Sequence, residues 1–245
     1  MLNTNYVMYL IKMKIRDFLI SKNNPMSLVD FSPQHKYLLK QRPINLIVHV
    51  GADTGQESFF YELLGIEKAY WIEPDTRSFA KLERRLSMHS KSHQIAINAL
   101  LSSKSNSELK LNLFTLSGAN SVYELKEIRK DKNKSKPTGK TMKFLTKTLS
   151  EVIENNQIDL RSSRKSLLVI DVQGHELHVL QGLLDRDLKL FDLVMCEVSK
   201  IEIYKGAATY EELKSYLFKH GFSIVFEGTR RAYDDVIFRN NSVSS

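Results

Sequence analysis

Five apolar, β-branched runs in this sequence end in a glycine turn or a polar side chain. Asn45–Val50 leads into Gly51-Ala52-Asp53-Thr54-Gly55, Ala69–Ile72 into Glu73, Gln94–Ile97 into Asn98, Leu167–Ile170 into Asp171, and Leu193–Cys196 into Glu197. Ligands of open parallel sheets lie beyond the carboxyl ends of the strands, so these residues are expected to line one site. The glycine turn lets backbone approach a ligand closely. It matches neither G-x-G-x-x-G nor G-x-x-x-x-G-K-[ST], which argues against a pyrophosphate or triphosphate cradle. Glu73 lies 22 positions beyond Gly51, the spacing at which a carboxylate accepts bonds from both hydroxyls of a ribose. A ligand with a ribose and no phosphate satisfies turn and carboxylate together, and S-adenosylmethionine is such a ligand. An acidic residue opening the next helix would explain Glu73 alone, not the pair.

A sulfonium methyl donor makes the chemistry an in-line displacement, in which the protein aligns an acceptor and manages the proton of a weakly acidic group. A base is then expected at the mouth of the strands that end near Asp171 and Glu197. Asp171, His175 and Glu176 are the candidates. Burial at a strand end would raise the Asp171 pKa into a useful range, although the same carboxylate can cap the following helix. His175 has the ordinary pKa of a base near neutrality, although a first-turn histidine is often simply exposed. Glu176 suits a first-turn electrostatic role, and Glu197 suits acceptor hydroxyls. Asp171, Glu176 and Glu197 could also hold a hard divalent cation; nothing in their spacing demands one, and no metal is expected. Trp71, Met195 and Cys196 read as core.

The elements that must position these residues follow from periodicity. Helices are expected over Glu57–Leu64, over a segment presenting Phe79, Leu82 and Leu86 on one face, over Leu149–Asn155, from His175 onward, and over Tyr210–His220 with Gly221 at its C-cap. Alternation of strand, turn and helix implies an α/β fold with a parallel, doubly wound sheet. The middle differs: Leu109–Leu116 and Met142–Thr146 alternate like antiparallel strands, and Phe222–Phe226 with Asp235–Phe238 fits a terminal pair.

Charge divides the 245 residues unevenly. Of the formal +8, residues 1–43 carry +5, residues 126–143 carry +6, and the remainder carries −3. The basicity therefore belongs to two appendages of a mildly acidic core, which argues for local contacts with something anionic rather than for a uniformly basic surface. Solvated lysine runs explain the same pattern. Val7, Met8, Ile11, Ile15, Phe18 and Leu19 recur at helical spacing, an amphipathic helix that covers a core edge or lies on a membrane surface. Lys12, Lys14 and Arg16 interrupt that stretch and no small-residue cleavage site follows, so it does not read as a signal peptide. No window reaches the ~18 uninterrupted apolar residues of a spanning helix. One cysteine allows neither an internal disulfide nor a cysteine zinc site, and a cytoplasmic location is expected.

The segments V-x-V-G-A-D-T-G-Q-E (48–57), W-I-E-P-D (71–75), N-A-L (98–100) and above all I-D-V-Q-G-H-E-L-x-V-L-Q-G (170–182) resemble the FkbM family of class I methyltransferases. Glu197, Tyr204 and the Gly221-Phe222 turn continue the pattern, which divides the chain into an N-terminal helical extension (1–43) and an FkbM-like domain (44–240) with a basic insertion at about 126–143. The resemblance implies a Rossmann-like, mostly parallel seven-stranded sheet with an antiparallel last strand, S-adenosylmethionine as cofactor, and O-methylation of a sugar or other hydroxyl on a glycan or small metabolite. It implies donor contacts from His49, Gly51, Ala52, Asp53, Gly55, Glu73, Asn98 and Asp171. It departs from the family at His49, where an acidic residue is usual, and at Asp53, where Asn is common. Acceptor contacts are expected from Glu197 and Tyr204. Lys130 and Lys132 are expected to draw an anionic acceptor, such as a charged glycan or lipid-linked sugar. Two other classes compete. A nucleic-acid methyltransferase is suggested by the isoelectric point near 9.4, against which stand the acidic core and the lack of an N-P-P-Y-like motif. A non-catalytic, Rossmann-like nucleotide-binding protein is opposed by the 170–182 block.

Overall fold

The computed structural model describes residues 31–88, 93–126, 135–163, 165–200, 202–228 and 233–243. The amphipathic segment before residue 20, Lys130 and Lys132 lie outside them. Strand β1 (Leu46–Val50) is buried along its whole length, as its unbroken apolar texture demands of a central parallel strand. It pairs in parallel with β2 (Lys68–Ile72) on one side and β6 (Ser166–Ile170) on the other. β3 (His93–Ile97) extends the sheet beyond β2, and β7 (Leu193–Ser199) beyond β6. β9 (Tyr233–Asn240) runs antiparallel between β7 and β8 (Phe222–Glu227). The seven-stranded order is β3-β2-β1-β6-β7-β9-β8, so strand order reverses between β1 and β6, where a ligand crevice opens.

Alternate side chains of the strands bury two faces. Val48, Val50, Ile170, Val194 and Cys196 pack with α4 (Leu149–Asn155), α5 (Glu176–Gln181), α6 (Asp185–Leu188) and α7 (Tyr210–Lys219). Ile47, Trp71, Val169 and Met195 pack with α1 (Pro33–Lys40), α2 (Ser58–Leu64) and α3 (Thr76–Leu86). Caps fix where the site-bearing loops end. Asp75 accepts from the Arg77 amide at 3.0 Å to open α3, and Thr209 with Glu212 forms a capping box on α7.

β4 (Glu108–Phe114) and β5 (Pro137–Leu145) form a separate antiparallel pair, an arm inserted between β3 and β6. Its small core is Leu100, Leu111 and Leu113. β5 begins at Pro137, so part of the lysine-rich segment is strand rather than loop. A 3-10 turn at Ser117–Ala119 follows β4 and overhangs the crevice.

Candidate active site

The β1 turn is built for close approach. Gly51 adopts φ +86°, and a Cβ there would stand 1.7 Å from the Asp171 carbonyl oxygen, so glycine alone lets β1 and β6 end side by side. The amides of Gly51 and Ala52 both donate to the Ile72 carbonyl, at 3.0 and 3.1 Å. Ala52 then turns into the core. Gly55 leaves space that Leu82 Cδ1 fills, 2.6 Å from where its Cβ would be. Ala52 and Gly55 thus shape the turn from behind, and Gly51 and Asp53 face the cleft.

Glu73 is buried, and both its oxygens accept main-chain amides: Oε2 from Asp53 at 2.9 Å and Oε1 from Asp75 at 2.8 Å. Burial, with the Asp53 and Asp75 carboxylates adding to it, pushes its pKa up to about 8 against the pull of those two amides. Asn98 does not line the cleft. Its Nδ2 donates to the carbonyls of Glu73 at 2.7 Å and Pro74 at 2.9 Å, bracing the loop that presents the carboxylate. Asp53 itself accepts from Ser78 Oγ at 2.8 Å.

His49 lies elsewhere than its expected donor contact. Strand alternation turns its ring to the second face, where Nδ1 meets Tyr61 Oη at 2.9 Å and the ring stacks on Trp71 at 5.1 Å. Burial lowers its pKa to about 3, so a neutral imidazole fills a core position that an isolated carboxylate could occupy only at high cost.

The Asp171-Val-Gln-Gly174 turn organises the other half of the site. Gln173 Nε2 donates to Asp171 Oδ1 and to Glu197 Oε2, both at 2.7 Å. Its Oε1 accepts from Tyr204 Oη at 2.9 Å, and its carbonyl accepts from Ser121 Oγ at 2.7 Å. Burial raises the pKa of both Asp171 and Glu197, and the neighbouring Asp171 charge adds to the rise at Glu197. Glu197 sits within β7 rather than after it. Glu176 turns inward and accepts the amides of Val172 and Gly174, each at 3.1 Å; it locks the turn, with its pKa raised to about 7 by burial. His175 is buried too, with Nδ1 3.1 Å from Tyr123 Oη and Nε2 3.0 Å from Ser102 Oγ. Its pKa falls to about 3 through burial and the neighbouring His178. Both ring nitrogens of His175 are thus engaged, and the Glu176 carboxyl is taken up by the turn.

Two cavities meet here, sharing Asp53, Gly118, Asp171 and Gln173. One, about 50 Å³, lies over the β1 and β2 ends between Gly51, Glu73, Ala99 and Leu101, beneath Ser117, Gly118 and Asn120 of the arm. The other, about 970 Å³, opens over β6 and β7 and reaches Tyr204, Tyr210 and Lys136. Lys126 pairs with Glu202, and Lys143 with Glu108 at 3.1 Å, so part of the basic insertion's charge is spent within the protein. Gln173, Ser102, Tyr123 and Asn120 escaped the sequence reading. Gln173 stood inside the Asp-Val-Gln-Gly motif, a polar side chain before a glycine turn; the other three arrive from the arm and its approach, with no local signal.

The family model "Methyltransferase FkbM domain" matches residues 49–224. No curated protein matches the sequence. Among solved structures, an FkbM methyltransferase from Methylobacillus flagellatus KT shares the fold, with 14% identity and a TM-score of 0.50 over 81% of this chain and 44% of that one. This chain therefore spans less than half the length of that structure. A precorrin-6y C5,15-methyltransferase from Geobacter metallireducens is 9% identical over 87% of this chain and 92% of its own, with a TM-score of 0.46. An rRNA methylase from Streptococcus thermophilus is 10% identical over 84% and 93%, with a TM-score of 0.43. The family match covers well over half of the sequence, and its boundaries enclose both the Gly51 turn and the Asp171–Glu197 pair. The chain belongs to the FkbM family of S-adenosylmethionine-dependent methyltransferases.

Proposed function

We propose that this protein methylates a hydroxyl of a small metabolite or glycan unit held in the larger cavity. The observation that carries this reading is the Asp171–Gln173–Glu197 cluster, two buried carboxyls bridged by one amide beside the junction of the two cavities. The chemistry of the smaller cavity suits the donor. Gly51 provides a cradle that any Cβ would fill, Glu73 presents its carboxylate to the cavity, and Ile72, Ala99 and Leu100 supply an apolar wall for a purine. S-adenosylmethionine, when bound, supplies an electrophilic methyl on a positively charged sulfur.

The protein's residues do the rest. Glu73 accepts ribose hydroxyls, and Gly51 keeps side-chain atoms out of the donor's path. With a donor held there, the acceptor oxygen would take the methyl while the sulfur keeps the electron pair of the broken bond, and the part of Gly51 and Glu73 is to hold the two in line. The hydroxyl proton passes to the Asp171–Glu197 pair, whose raised pKa suits a weakly acidic alcohol better than an ordinary carboxylate does. Gln173 fixes the geometry of that pair, and Tyr204 fixes Gln173. The test is transfer of labelled methyl from S-adenosylmethionine to a panel of polyols, glycosides and RNA. Methylation of a hydroxyl compound that is lost in Asp171→Asn, with donor affinity kept, supports the reading. Transfer confined to RNA, or to ring nitrogens, overturns it.

A further inference from the structure

Tyr123, His175, His178 and Ser102 form a polar cluster beside the cleft, and His175 borders the smaller cavity. Tyr123, on the arm, places its Oη 3.1 Å from His175 Nδ1 and 3.3 Å from His178 Nδ1. The two imidazoles stack face to face, 4.5 Å apart and 2° from parallel, and both Nδ1 atoms reach the one hydroxyl. Behind them the buried Ser102 Oγ meets His175 Nε2 at 3.0 Å. Burial lowers the pKa of both histidines, to about 3 at His175, so each ring is neutral at pH 7 and carries one N–H. A hydroxyl has a single hydrogen. It donates to one Nδ1 and accepts from the other, so the two imidazoles hold opposite tautomers. A clasp of this kind fixes the Tyr123 hydroxyl more closely than a single hydrogen bond does.

The clasp leads through the arm to the two carboxyls of the cleft. The Tyr123 amide donates to Ser121 Oγ at 3.1 Å, and that hydroxyl donates to the Gln173 carbonyl at 2.7 Å. The Tyr123 carbonyl accepts from Asn112 Nδ2 at 3.0 Å, which ties the same turn to β4. The Tyr123 ring lies over Gly174, its Cδ2 3.5 Å from where a Cβ would be. Residues 121–123 therefore rest on the segment after β6 at three points: the Ser121 bond, the ring contact and the imidazole clasp. Gln173, in that segment, is the residue whose amide bridges Asp171 and Glu197. We propose that Tyr123 is a positioning residue for methyl transfer: its hydroxyl, clasped by His175 and His178, seats the arm on the turn and thereby holds Gln173 against the two carboxyls. What those carboxyls do rests on the hydroxyl-methylation reading; that Tyr123 governs the bridge between them does not.

NMR of the full chain tests it with neither donor nor acceptor present, so its failure is separate from failure of the methyl-transfer reading. Long-range proton–nitrogen spectra of histidine-labelled protein at pH 7 should show one of His175 and His178 protonated at Nδ1 and the other at Nε2. Tyr123→Phe keeps the ring and removes the hydroxyl. It should abolish the Nδ1–H form and speed amide exchange at residues 121–123 about tenfold. It should also raise the Asp171 and Glu197 titration midpoints, read by carboxyl carbon shifts, by about half a pH unit. His178→Leu should loosen the arm in the same direction, whereas His178→Asn, which keeps a polar atom near the place of Nδ1, should exchange within about twofold of the parent. Two Nε2–H imidazoles in the parent overturn the clasp. Parent-like exchange in Tyr123→Phe overturns the positioning role, and so does an arm that loosens while the carboxyl midpoints stay where they were.

Discussion

The two cavities of this cleft, which we propose hold donor and acceptor, are made by opposite means. On the donor side the main chain is the architect: the Gly51 turn, the amides that clasp Glu73 and the carbonyls that Asn98 braces leave a cavity of about 50 Å³. On the acceptor side, side chains from three separated segments converge on Gln173, and the space is about 970 Å³. A backbone-built site is fixed by strand register and tolerates almost no change at its turn. A side-chain-built site is replaceable residue by residue, which suits a region that decides what is methylated. The two should therefore respond to mutation differently in kind as well as in size.

The largest contrast is expected at glycines. Gly51→Ala forces a methyl onto the Asp171 carbonyl in a left-handed backbone. It should cost more than about 3 kcal/mol and lower the melting temperature by roughly 6–12 °C. Gly118→Ala, whose Cβ would sit 3.8 Å from Asp53 Oδ2, should leave melting within about 2 °C of the parent. Equal sensitivity at the two positions would break the comparison.

Next is Glu73. Two ribose hydroxyls donating to its carboxyl favour the ionised form, whereas burial keeps it protonated up to about pH 8 in the free protein. Donor binding should therefore release nearly one proton at pH 7, read by calorimetry in buffers of different ionisation enthalpy. Affinity should rise between pH 6 and 8. Glu73→Gln should abolish the release and cost about 1.5–3 kcal/mol of donor affinity. The same raised carboxyl gives a sign for stability. A folded pKa above the unfolded value stabilises at pH below the unfolded carboxylate pKa, and that contribution disappears as pH rises through about 8. The melting temperature of the donor-free parent should thus fall more steeply between about pH 5 and 8 than that of Glu73→Gln, and the two should run parallel above that range.

On the acceptor side, Gln173→Leu removes both amide bonds to the carboxyl pair. Donor affinity should hold while methyl transfer falls about 10- to 100-fold. The pair's titration should move upward, since hydrogen bonds that favour its charged form are gone; carboxyl carbon NMR reads that shift without an acceptor. A drop in donor affinity as large as the drop in turnover would show that the halves are not separable.

The same division explains what was legible in the sequence. Strands β1, β2, β6 and β7 are apolar runs punctuated by glycine or acid, and the polar lining of the smaller cavity follows directly from them in Gly51, Asp53 and Glu73. Alternation within a strand also hides information. His49 sits one residue from Val48 and Val50 but faces the other layer, and a family motif read along the chain does not say which side a residue takes. The surroundings of His175 and Glu176 are hidden from the sequence for a related reason. Their surroundings come from Ser102, Tyr123 and the amides of Val172 and Gly174, so burial and bonding, not residue type, decide that one is a neutral brace and the other a lock. Gln173 gathers partners from residues 121, 197 and 204, a convergence that only the folded chain displays.

The smallest effect expected is at the roof that joins the halves. Ser117–Ala119 and Asn120 roof the smaller cavity, of about 50 Å³, so entry of a donor from above would need the arm to lift. Asn120 Nδ2 latches it to Asp75 Oδ2 at 3.0 Å, with Ser121 holding Gln173 beside it. Asn120→Ala removes this latch, worth about 1 kcal/mol, and within the arm the bond that its Oδ1 accepts from the Phe114 amide at 2.8 Å, while Asp75 keeps its two contacts to the Arg77 guanidinium and its cap on α3. Loosening a roof that closes again over its ligand lowers the barrier to entry and exit alike. Stopped-flow binding of S-adenosylhomocysteine should show association and dissociation both faster by about fivefold, with the dissociation constant within about twofold of the parent. An association rate equal to the parent's would mean that the donor reaches Glu73 by another route, and that the arm serves the acceptor side alone.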